Sequence, residues 1–258
     1  MVSSANKTGA AGISAEVRNL RKQFDGEPVL RGVNLKVQPG EIFVIMGPSG
    51  SGKSVLLRHI IGLEMPDSGE VFVGGKPVSD AVLNEFRLAM VFQSGALLNS
   101  FTVTENVGLY LTEHQSKSET EIKKIVAEKL ELVGLTGHED RLPSELSGGM
   151  KKRAAIARAL VIEPQLMLYD EPTSELDPVM AATIGHEISR LRQRTGTTSI
   201  VVTHDRDLAF GIADRMALIH EGQIRCVGTP AEIRTQTDPV VNDFLNAEFS
   251  LNRKTKSL

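Results

Sequence analysis

Gly47-Pro48-Ser49-Gly50-Ser51-Gly52-Lys53-Ser54 is the stretch that decides the fold of this chain. It fits the pattern G-x-x-x-x-G-K-[ST] and lies between an apolar run, residues 42–46, and a helical pattern that begins at Val55. Because glycine has no Cβ, consecutive backbone N–H groups can turn toward one point, and a helix N-terminus adds partial positive charge. The stretch therefore predicts a loop that binds phosphate groups, with Lys53 on the β- and γ-phosphates and the Ser54 hydroxyl on Mg²⁺.

Composition sets the broad class of protein. The chain has 258 residues and a formal net charge of −3, which allows one large domain and gives no basic footprint for nucleic acid. Cys226 is the single cysteine, so an internal disulfide framework is excluded, a reducing compartment fits, and the thiol is expected to fill a strand position. Residues 1–14 are small and polar, which predicts a disordered tail rather than a secretory signal. No apolar stretch reaches the length of a membrane-spanning helix.

Strand and helix patterns alternate along the chain. A hairpin is predicted where residues 70–73 end in Gly74-Gly75, and strands are predicted at 33–37, 166–169 and 199–202. Residues 104–159 are expected to be mostly helical, with an amphipathic core-packing stripe at Ile122, Ile125, Val126, Leu130 and Val133. This order predicts an α/β protein with a parallel sheet and helices on both faces.

Two carboxylates, Asp170 and Glu171, follow the apolar run at 166–169. A buried strand would deliver Asp170 to the carboxyl edge of the sheet, where ligands bind in open α/β folds. There Asp170 can hold the Mg²⁺ shell and Glu171 can act as general base toward water. The alternative is a solvated acidic turn before Pro172, and the phosphate loop upstream favours the chemical interpretation.

Leu146-Ser147-Gly148-Gly149-Met150 opens a second predicted helix, over residues 151–160. Ser147 can cap this helix, and the two glycines leave its first N–H groups bare. We interpret the segment as a second anion site at a helix start, with a simple helix cap as the alternative.

The order of these motifs resembles the ATP-binding-cassette (ABC) ATPases. The phosphate loop, Gln93 after a short strand, the signature segment 146–150, Asp170-Glu171, the loop 174–177 and His204 follow one another as in that family. The resemblance covers roughly residues 17–245. It implies a P-loop ATPase fold with a mostly parallel core sheet, an antiparallel β subdomain and an inserted helical lobe.

The resemblance also sets expected domain bounds and residue roles. The ATPase domain is predicted at 15–249, the helical lobe at about 94–162 and a flexible tail at 250–258. Phe24 would stack on adenine, with a core position as the alternative, while Gln93 would touch Mg²⁺ and the attacking water, and His204 the γ-phosphate. The expected nucleotide-binding set is Phe24, Gly47, Ser49, Gly50, Ser51, Gly52, Lys53, Ser54, Val55, Ser147, Gly148 and Gly149; the catalytic set is Lys53, Gln93, Glu171 and His204; the metal set is Ser54, Gln93 and Asp170.

Family members work as head-to-tail homodimers, which implies that each ATP lies between the phosphate loop of one chain and the signature segment of the other. We therefore expect ATP and Mg²⁺ as cofactors and poor hydrolysis by an isolated monomer. A DNA-maintenance ATPase would carry a long coiled-coil insertion, and none is visible. A non-hydrolysing scaffold would be expected to lose Lys53 or Glu171, and both are present. The energy subunit of a membrane transporter is favoured over both.

Three further features bear on the transporter class. Met150 and Lys152 stand where many signatures carry glutamine, and the segments 91–98 and 235–239 are also distinctive. They resemble the ATPases of Mla/Mce-type lipid transporters. That resemblance implies a polytopic permease, an Mce-domain protein, in some members a STAS-domain subunit, and a cytoplasmic position on the inner face of the plasma membrane. The alternative is an importer of small polar solutes such as amino acids.

Two loops carry open alternatives. The apolar loop Ser94–Phe101, with Leu97 and Leu98, is predicted to contact the permease, and packing inside the helical lobe is the alternative. Glu175 stands where relatives usually have glycine or alanine, and its carboxylate would either pair with a basic group or weaken dimer closure. The end of the chain, residues 246–258, is expected to be solvated, with contact to a neighbouring subunit as the alternative.

Overall fold

The structure is a computed structural model, and it describes residues 12–115 and 117–246. The predicted C-terminal tail at 250–258 lies outside these ranges, as do the first eleven residues of the predicted N-terminal tail. Within the described ranges, each helix is too short or too polar to cross a membrane.

Residues 12–14, which the sequence assigned to the N-terminal tail, pack against the core sheet instead. The Gly12 N–H donates to the Gly196 carbonyl at 3.2 Å, and the Thr198 hydroxyl donates to the Ile13 carbonyl at 2.7 Å. Backbone groups make most of these contacts, which is why the small, polar composition did not reveal them. Residues 12–14 therefore belong to the folded domain.

A six-stranded sheet forms the core, in the order β10-β9-β3-β8-β7-β6. Its pairs are parallel except the pair of β9 with β10. Both β3 and β7 are buried along their whole length, as expected for strands covered on both faces. The bounds are β3 Ile42–Met46, β6 Leu88–Val91, β7 Leu166–Asp170, β8 Thr198–Thr203, β9 Arg215–His220 and β10 Gln223–Gly228. The mostly parallel core sheet is confirmed.

A second sheet is antiparallel, in the order β2-β1-β4-β5. Its strands are β1 Ala15–Phe24, β2 Glu27–Val37, β4 Ser68–Val73 and β5 Lys76–Pro77. The hairpin predicted at Gly74-Gly75 joins β4 to β5, and both glycines have positive φ, 58° and 79°. This sheet is the predicted antiparallel subdomain.

Three longer helices, α3 to α5, lie between β6 and β7 and form the inserted helical lobe. Capping boxes at Thr102 and Ser118 begin α3 and α4, since each side chain and its glutamate partner satisfy backbone N–H groups at the helix start. The helices are α1 Lys53–Ile60, α2 Asp80–Glu85, α3 Val103–Glu113, α4 Glu119–Leu132, α5 Gly148–Leu160, α6 Pro178–Thr195, α7 Arg206–Ile212, α8 Pro230–Arg234 and α9 Pro239–Asn246, with a 3₁₀ turn at Pro143–Glu145.

Two hydrophobic cores share the central sheet. Val44 and Met46 of β3 point to a core made with the helical lobe, while Phe43 and Ile45 point to a core made with the antiparallel sheet and α1. Alternate residues of a strand face opposite sides, so one strand anchors both cores. The prediction of helices on both faces is therefore correct for the lobe face, and on the other face the antiparallel sheet joins α1 because its own strands carry an apolar face.

Candidate nucleotide site

The phosphate loop connects β3 to α1 and is shaped by its glycines. Gly52 has a φ of 99°, a conformation that residues with a Cβ rarely adopt. A Cβ on Gly47 would collide with the carbonyl oxygen of Ile219 on β9. The first N–H groups of α1 have no intrahelical acceptor, and the loop leaves Ser49 and Gly50 exposed. The loop thus has the backbone donors and the access that an anion requires.

Lys53 is buried at the mouth of this loop. Its ammonium donates to the carbonyl oxygens of Gly47 at 2.9 Å and Pro48 at 3.0 Å. It also lies 3.4 Å from Oε1 of Glu171. The Lys53 ammonium, which the motif predicts to bind phosphate, is therefore held by the loop carbonyls. It faces Glu171, the predicted general base.

Ser54 and Asp170, predicted as metal ligands, lie together. The Ser54 hydroxyl donates to Asp170 Oδ1 at 2.7 Å. Burial raises the pKa of Asp170, and the Ser54 hydrogen bond opposes that shift. Hydroxyl and carboxylate oxygens are the donors that Mg²⁺ prefers. Among the described residues there is no group of three or more His, Cys, Asp or Glu side chains able to hold a metal, so phosphate and water oxygens would have to complete the shell.

Glu171 is the centre of the polar cluster. Its φ is 47°, in the left-handed region where a non-glycine residue is strained. Its N–H donates to the Val202 carbonyl at 3.0 Å, and its Oε2 lies 2.9 Å from His204 Nδ1. The His204 side chain is 56% exposed. Because β7 and β8 are adjacent and parallel, residues that follow them meet at one sheet edge. We call Lys53, Ser54, Asp170, Glu171 and His204 the phosphate-side cluster.

Gln93 follows β6, on the other side of β7, and is exposed. Its backbone carbonyl accepts a hydrogen bond from the Lys152 ammonium. The sequence identified Lys152 only as a departure from the family pattern and did not predict its burial. Helical spacing from Lys152 to the buried Ile156 and Leu160 was the signal that could have found it.

The signature end, which we define as Ser147–Gly149, begins α5 in the helical lobe. Ser147 caps the helix, accepting from the Met150 N–H at 3.3 Å. Ser147 and Gly148 are exposed, while Gly149 is buried. Within the part of the chain that the structure describes, no hydrogen bond or ion pair links the signature end to residues 47–54. Its free helix N-terminus therefore faces outward.

Phe24 ends β1 and is 40% exposed, so the alternative of a core position is wrong. Lys22 Nζ lies 5.1 Å from its ring centroid. The hairpin that carries Phe24 abuts the phosphate loop, since a Cβ on Gly52 would lie 2.8 Å from Leu30 Cδ2 on the paired strand. Stacking on adenine remains a prediction for which the ring is accessible.

The lobe loop, which we define as Ser94–Phe101, divides its apolar side chains between two environments. Leu97 packs against the lobe core, whereas Leu98 is 42% exposed. Asn106 is buried and fixes the loop, accepting from the Leu98 N–H at 2.7 Å and donating to the Phe101 carbonyl at 2.9 Å. The core alternative therefore holds for Leu97, and an exposed apolar surface is present at Leu98.

Similarity to known proteins agrees with this geometry. A family model described as "ABC transporter" matches residues 30–174. A chloroplast protein of Arabidopsis thaliana, TRIGALACTOSYLDIACYLGLYCEROL 3, is 42% identical over 89% of this chain and 72% of its own length. The probable ribonucleotide transport ATP-binding protein mkl of Mycobacterium leprae is 40% identical over 91% of this chain and 69% of its own length.

A solved structure extends the similarity to the fold. The dimeric, post-hydrolysis structure of the ATP-binding cassette MJ0796 bound to ADP and Pi has a TM-score of 0.76 and 33% identity, and the match covers 84% of this chain and 98% of that one. The motifs, the fold and these relatives agree: the chain belongs to the ABC transporter family and is one of its ATPases.

Proposed function

We propose that the phosphate-side cluster carries out the hydrolysis, with Glu171 as general base toward the attacking water. The observation that carries this assignment is the shared position of the Glu171 carboxylate, which has Lys53 at 3.4 Å on one oxygen and His204 at 2.9 Å on the other. A buried carboxylate fixed by two basic groups can orient water for in-line attack. Lys53 then leaves the loop carbonyls to stabilise charge on the transferring phosphoryl group, and His204 contacts the γ-phosphate.

Ser54 and Asp170 would hold Mg²⁺ together with Gln93, which follows β6. When bound there, the ion would supply charge neutralisation for the phosphate oxygens. The hydrogen bond between Ser54 and Asp170 supports this assignment, because the two oxygens that would face the ion already converge.

The signature end completes the site of a second copy. The exposed Ser147 and Gly148 offer helix N-terminal donors that no group among the described residues uses, and a triphosphate offers more oxygens than one loop can satisfy. Two chains in head-to-tail order would then bury two ATP molecules, and hydrolysis would remove the charge that holds them together.

Replacing Glu171 by glutamine tests the assignment of the base. We expect the ATPase rate of the Glu171→Gln chain to fall by ~10²–10⁴ while ATP binding persists, measured by phosphate release and by calorimetric titration with ATP. Glu128→Gln is the matched control, because Glu128 is exposed on α4 and its side chain has no partner among the described residues. Full activity in Glu171→Gln would remove Glu171 from this role.

The transported substrate is proposed to be a lipid, carried by a permease in the inner membrane together with an Mce-domain protein and, in some complexes, a STAS-domain subunit. The similarity to a relative named for a galactolipid supports this class. The mycobacterial relative, named for ribonucleotide transport, favours a polar solute as second candidate. The ATPase of the full complex, purified with a tag on this chain, distinguishes them: phosphatidylglycerol vesicles should raise the rate and free ribonucleotides or amino acids should not.

Leu98 is the proposed contact for the permease, at the inner face of the membrane. The support for this contact is that the Leu98 side chain is exposed while Asn106 fixes the backbone that carries it. Leu98→Asp should release the permease during co-purification while ATP binding is kept. Retention of the permease would exclude this surface.

A further inference from the structure

Lys152 lies on the buried side of α5, with 6% of its surface exposed. Ile156 and Leu160 follow on the same buried face. A lysine in such a place carries its charge into the interior, which costs free energy unless the ammonium finds polar partners. Those partners indicate what the residue does.

The ammonium of Lys152 joins three segments. It donates to the backbone carbonyl of Gln93 and to the Ser174 hydroxyl, the latter at 3.2 Å. Gln93 follows β6, and Ser174 lies in the loop directly after Glu171. Because α5 starts at the signature end, the Lys152 side chain connects that helix to the segment after β6 and to the loop after Glu171.

Carboxylates near Lys152 favour the charged form of its side chain. Burial lowers the pKa of Lys152, and the carboxylate of Glu175 is the largest charge opposing that shift, followed by Asp170 and Glu171. Glu175 itself has a φ of 65°, where a residue with a Cβ is strained. The contact that joins this loop to α5 is the neighbouring Ser174 hydroxyl, which accepts from the Lys152 ammonium at 3.2 Å.

The opposite side of the same loop is also tied down. The Thr173 hydroxyl donates to Asp205 Oδ2 at 3.1 Å, and Asp205 follows His204 and caps α7. The loop after Glu171 is therefore fixed between Asp205 on the histidine side and Lys152 on the α5 side. A shift of either anchor would turn the backbone from which the Glu171 side chain projects.

We propose that Lys152 is a positioning residue for ATP hydrolysis, which transmits the placement of α5 to Gln93 and to the loop after Glu171. The proposal rests on the roles given above to Gln93 and Glu171. A nucleotide bound at the signature end would displace α5 along its axis. Lys152 lies in the second turn of α5 and would move with the helix. Lys152 therefore acts on the chemical step and leaves the affinity for ATP unchanged.

Lys152→Met tests this in the full chain, at protein concentrations where the rate per chain no longer changes. We expect kcat to fall at least about 10-fold, because small misplacements of catalytic groups are costly, while KM for ATP and Tm stay at the wild-type values. Lys151→Met is the matched control on the same helix, since the Lys151 side chain has no partner among the described residues. Its kcat should equal that of the wild type.

Two further variants separate the parts of the proposal. Lys152→Gln keeps a donor for the Gln93 carbonyl and should recover part of the kcat lost in Lys152→Met; equal rates would overturn the hydrogen-bond basis. Ser174→Ala, which removes the hydroxyl that accepts from Lys152, should reduce kcat in the wild-type chain but not further in Lys152→Met, since residues that act as a unit are not additive.

Wild-type kcat in Lys152→Met, or a loss matched by a lower Tm and a raised KM, would overturn the proposal. Glu171→Gln, assayed beside these variants, keeps the two proposals distinct. An active Glu171→Gln contradicts the role of Glu171, whereas an inactive Glu171→Gln with an unaffected Lys152→Met contradicts only the role of Lys152.

Discussion

The phosphate-side cluster and the signature end are both predicted to bind one nucleotide, yet they differ in how complete they are. In the cluster, polar groups already have partners: Ser54 bonds Asp170 at 2.7 Å, and Glu171 lies 3.4 Å from Lys53. The signature end leaves Ser147 and Gly148 exposed. The cluster is assembled within a single chain, whereas the signature end is presented outward by the helical lobe. The difference supports the proposal that the exposed signature end binds a nucleotide held by a second copy of the chain.

Mixing two inactive variants is the strongest test of whether the cluster of one chain and the signature end of another form one site. Lys53→Ala damages the cluster, and Gly148→Asp places a carboxylate at the signature end; each alone should lose about 10²–10³ in ATPase rate. An equimolar mixture should recover about a quarter of the wild-type rate, because half of the dimers are mixed and each mixed dimer holds one intact site. Phosphate release measures the recovery.

The control for this experiment mixes two defects of the same half. Lys53→Ala with Glu171→Gln leaves no intact combination, so no recovery is expected. Recovery in this control, or none with Gly148→Asp while both chains remain folded, would mean that the two halves do not meet across a dimer.

Ser54→Ala sharpens the description of the cluster side. Loss of the hydroxyl removes one proposed Mg²⁺ ligand and leaves the buried Asp170 without its hydrogen bond. We expect the Mg²⁺ concentration for half-maximal ATPase rate to rise by about 10–100-fold, measured by titration with MgCl₂ at fixed ATP. Ser144→Ala, an exposed serine near the signature end, should leave it unchanged. An unaltered Mg²⁺ requirement in Ser54→Ala would argue against the metal role.

Asn106→Ala sharpens the description of the lobe side. The buried amide bonds Leu98 and Phe101, and its loss leaves backbone groups of the lobe loop without partners. We expect the free energy of unfolding to fall by about 2 kcal/mol, measured by urea denaturation. Asn99→Ala, at an exposed position of the same loop, should change it by less than about 0.5 kcal/mol. Equal stabilities of the two variants would mean that Asn106 does not order the loop.

The smallest expected difference separates two neighbouring leucines. Leu97→Ala should cost about 1 kcal/mol of unfolding free energy because Leu97 packs against the lobe core. Leu98→Ala should cost less than about 0.5 kcal/mol because that side chain is exposed. Urea denaturation of both variants checks the order, and the reverse order would place the outward-facing side chain at Leu97.

Local patterns predicted the parallel sheet, the phosphate loop and the Asp170-Glu171 pair, while the family resemblance supplied the antiparallel subdomain, the inserted lobe and His204. The phosphate loop is a motif of consecutive residues, from Gly47 to Ser54. Glu171 and His204 each follow an apolar strand whose end can be recognised in the sequence. Parallel strands bring such ends to one edge of the sheet, so proximity followed from topology alone.

What the sequence did not reveal depends on contacts between distant segments. Leu97 and Leu98 are identical residues, and only the backbone course fixed by Asn106 decides which one faces outward. Lys152 is a charged residue in a basic run, and its burial depends on Gln93 and Ser174, which lie in other parts of the chain. The helical spacing to Ile156 and Leu160 places Lys152 on the buried face of α5, but no local pattern shows which distant segments its ammonium contacts.

Strand β3 gives the nucleotide loop a particular thermal behaviour. The side chains of β3 alternate between the two hydrophobic cores, with Phe43 in one core and Val44 in the other. The phosphate loop continues directly from this strand. Unfolding of either hydrophobic core would remove the packing that holds β3 and, with it, the phosphate loop. The two cores and the loop are therefore expected to unfold in a single calorimetric transition. A ligand bound only by the folded chain adds about 2.7 kcal/mol at a hundred times its dissociation constant, and through β3 that protection extends to both cores at once.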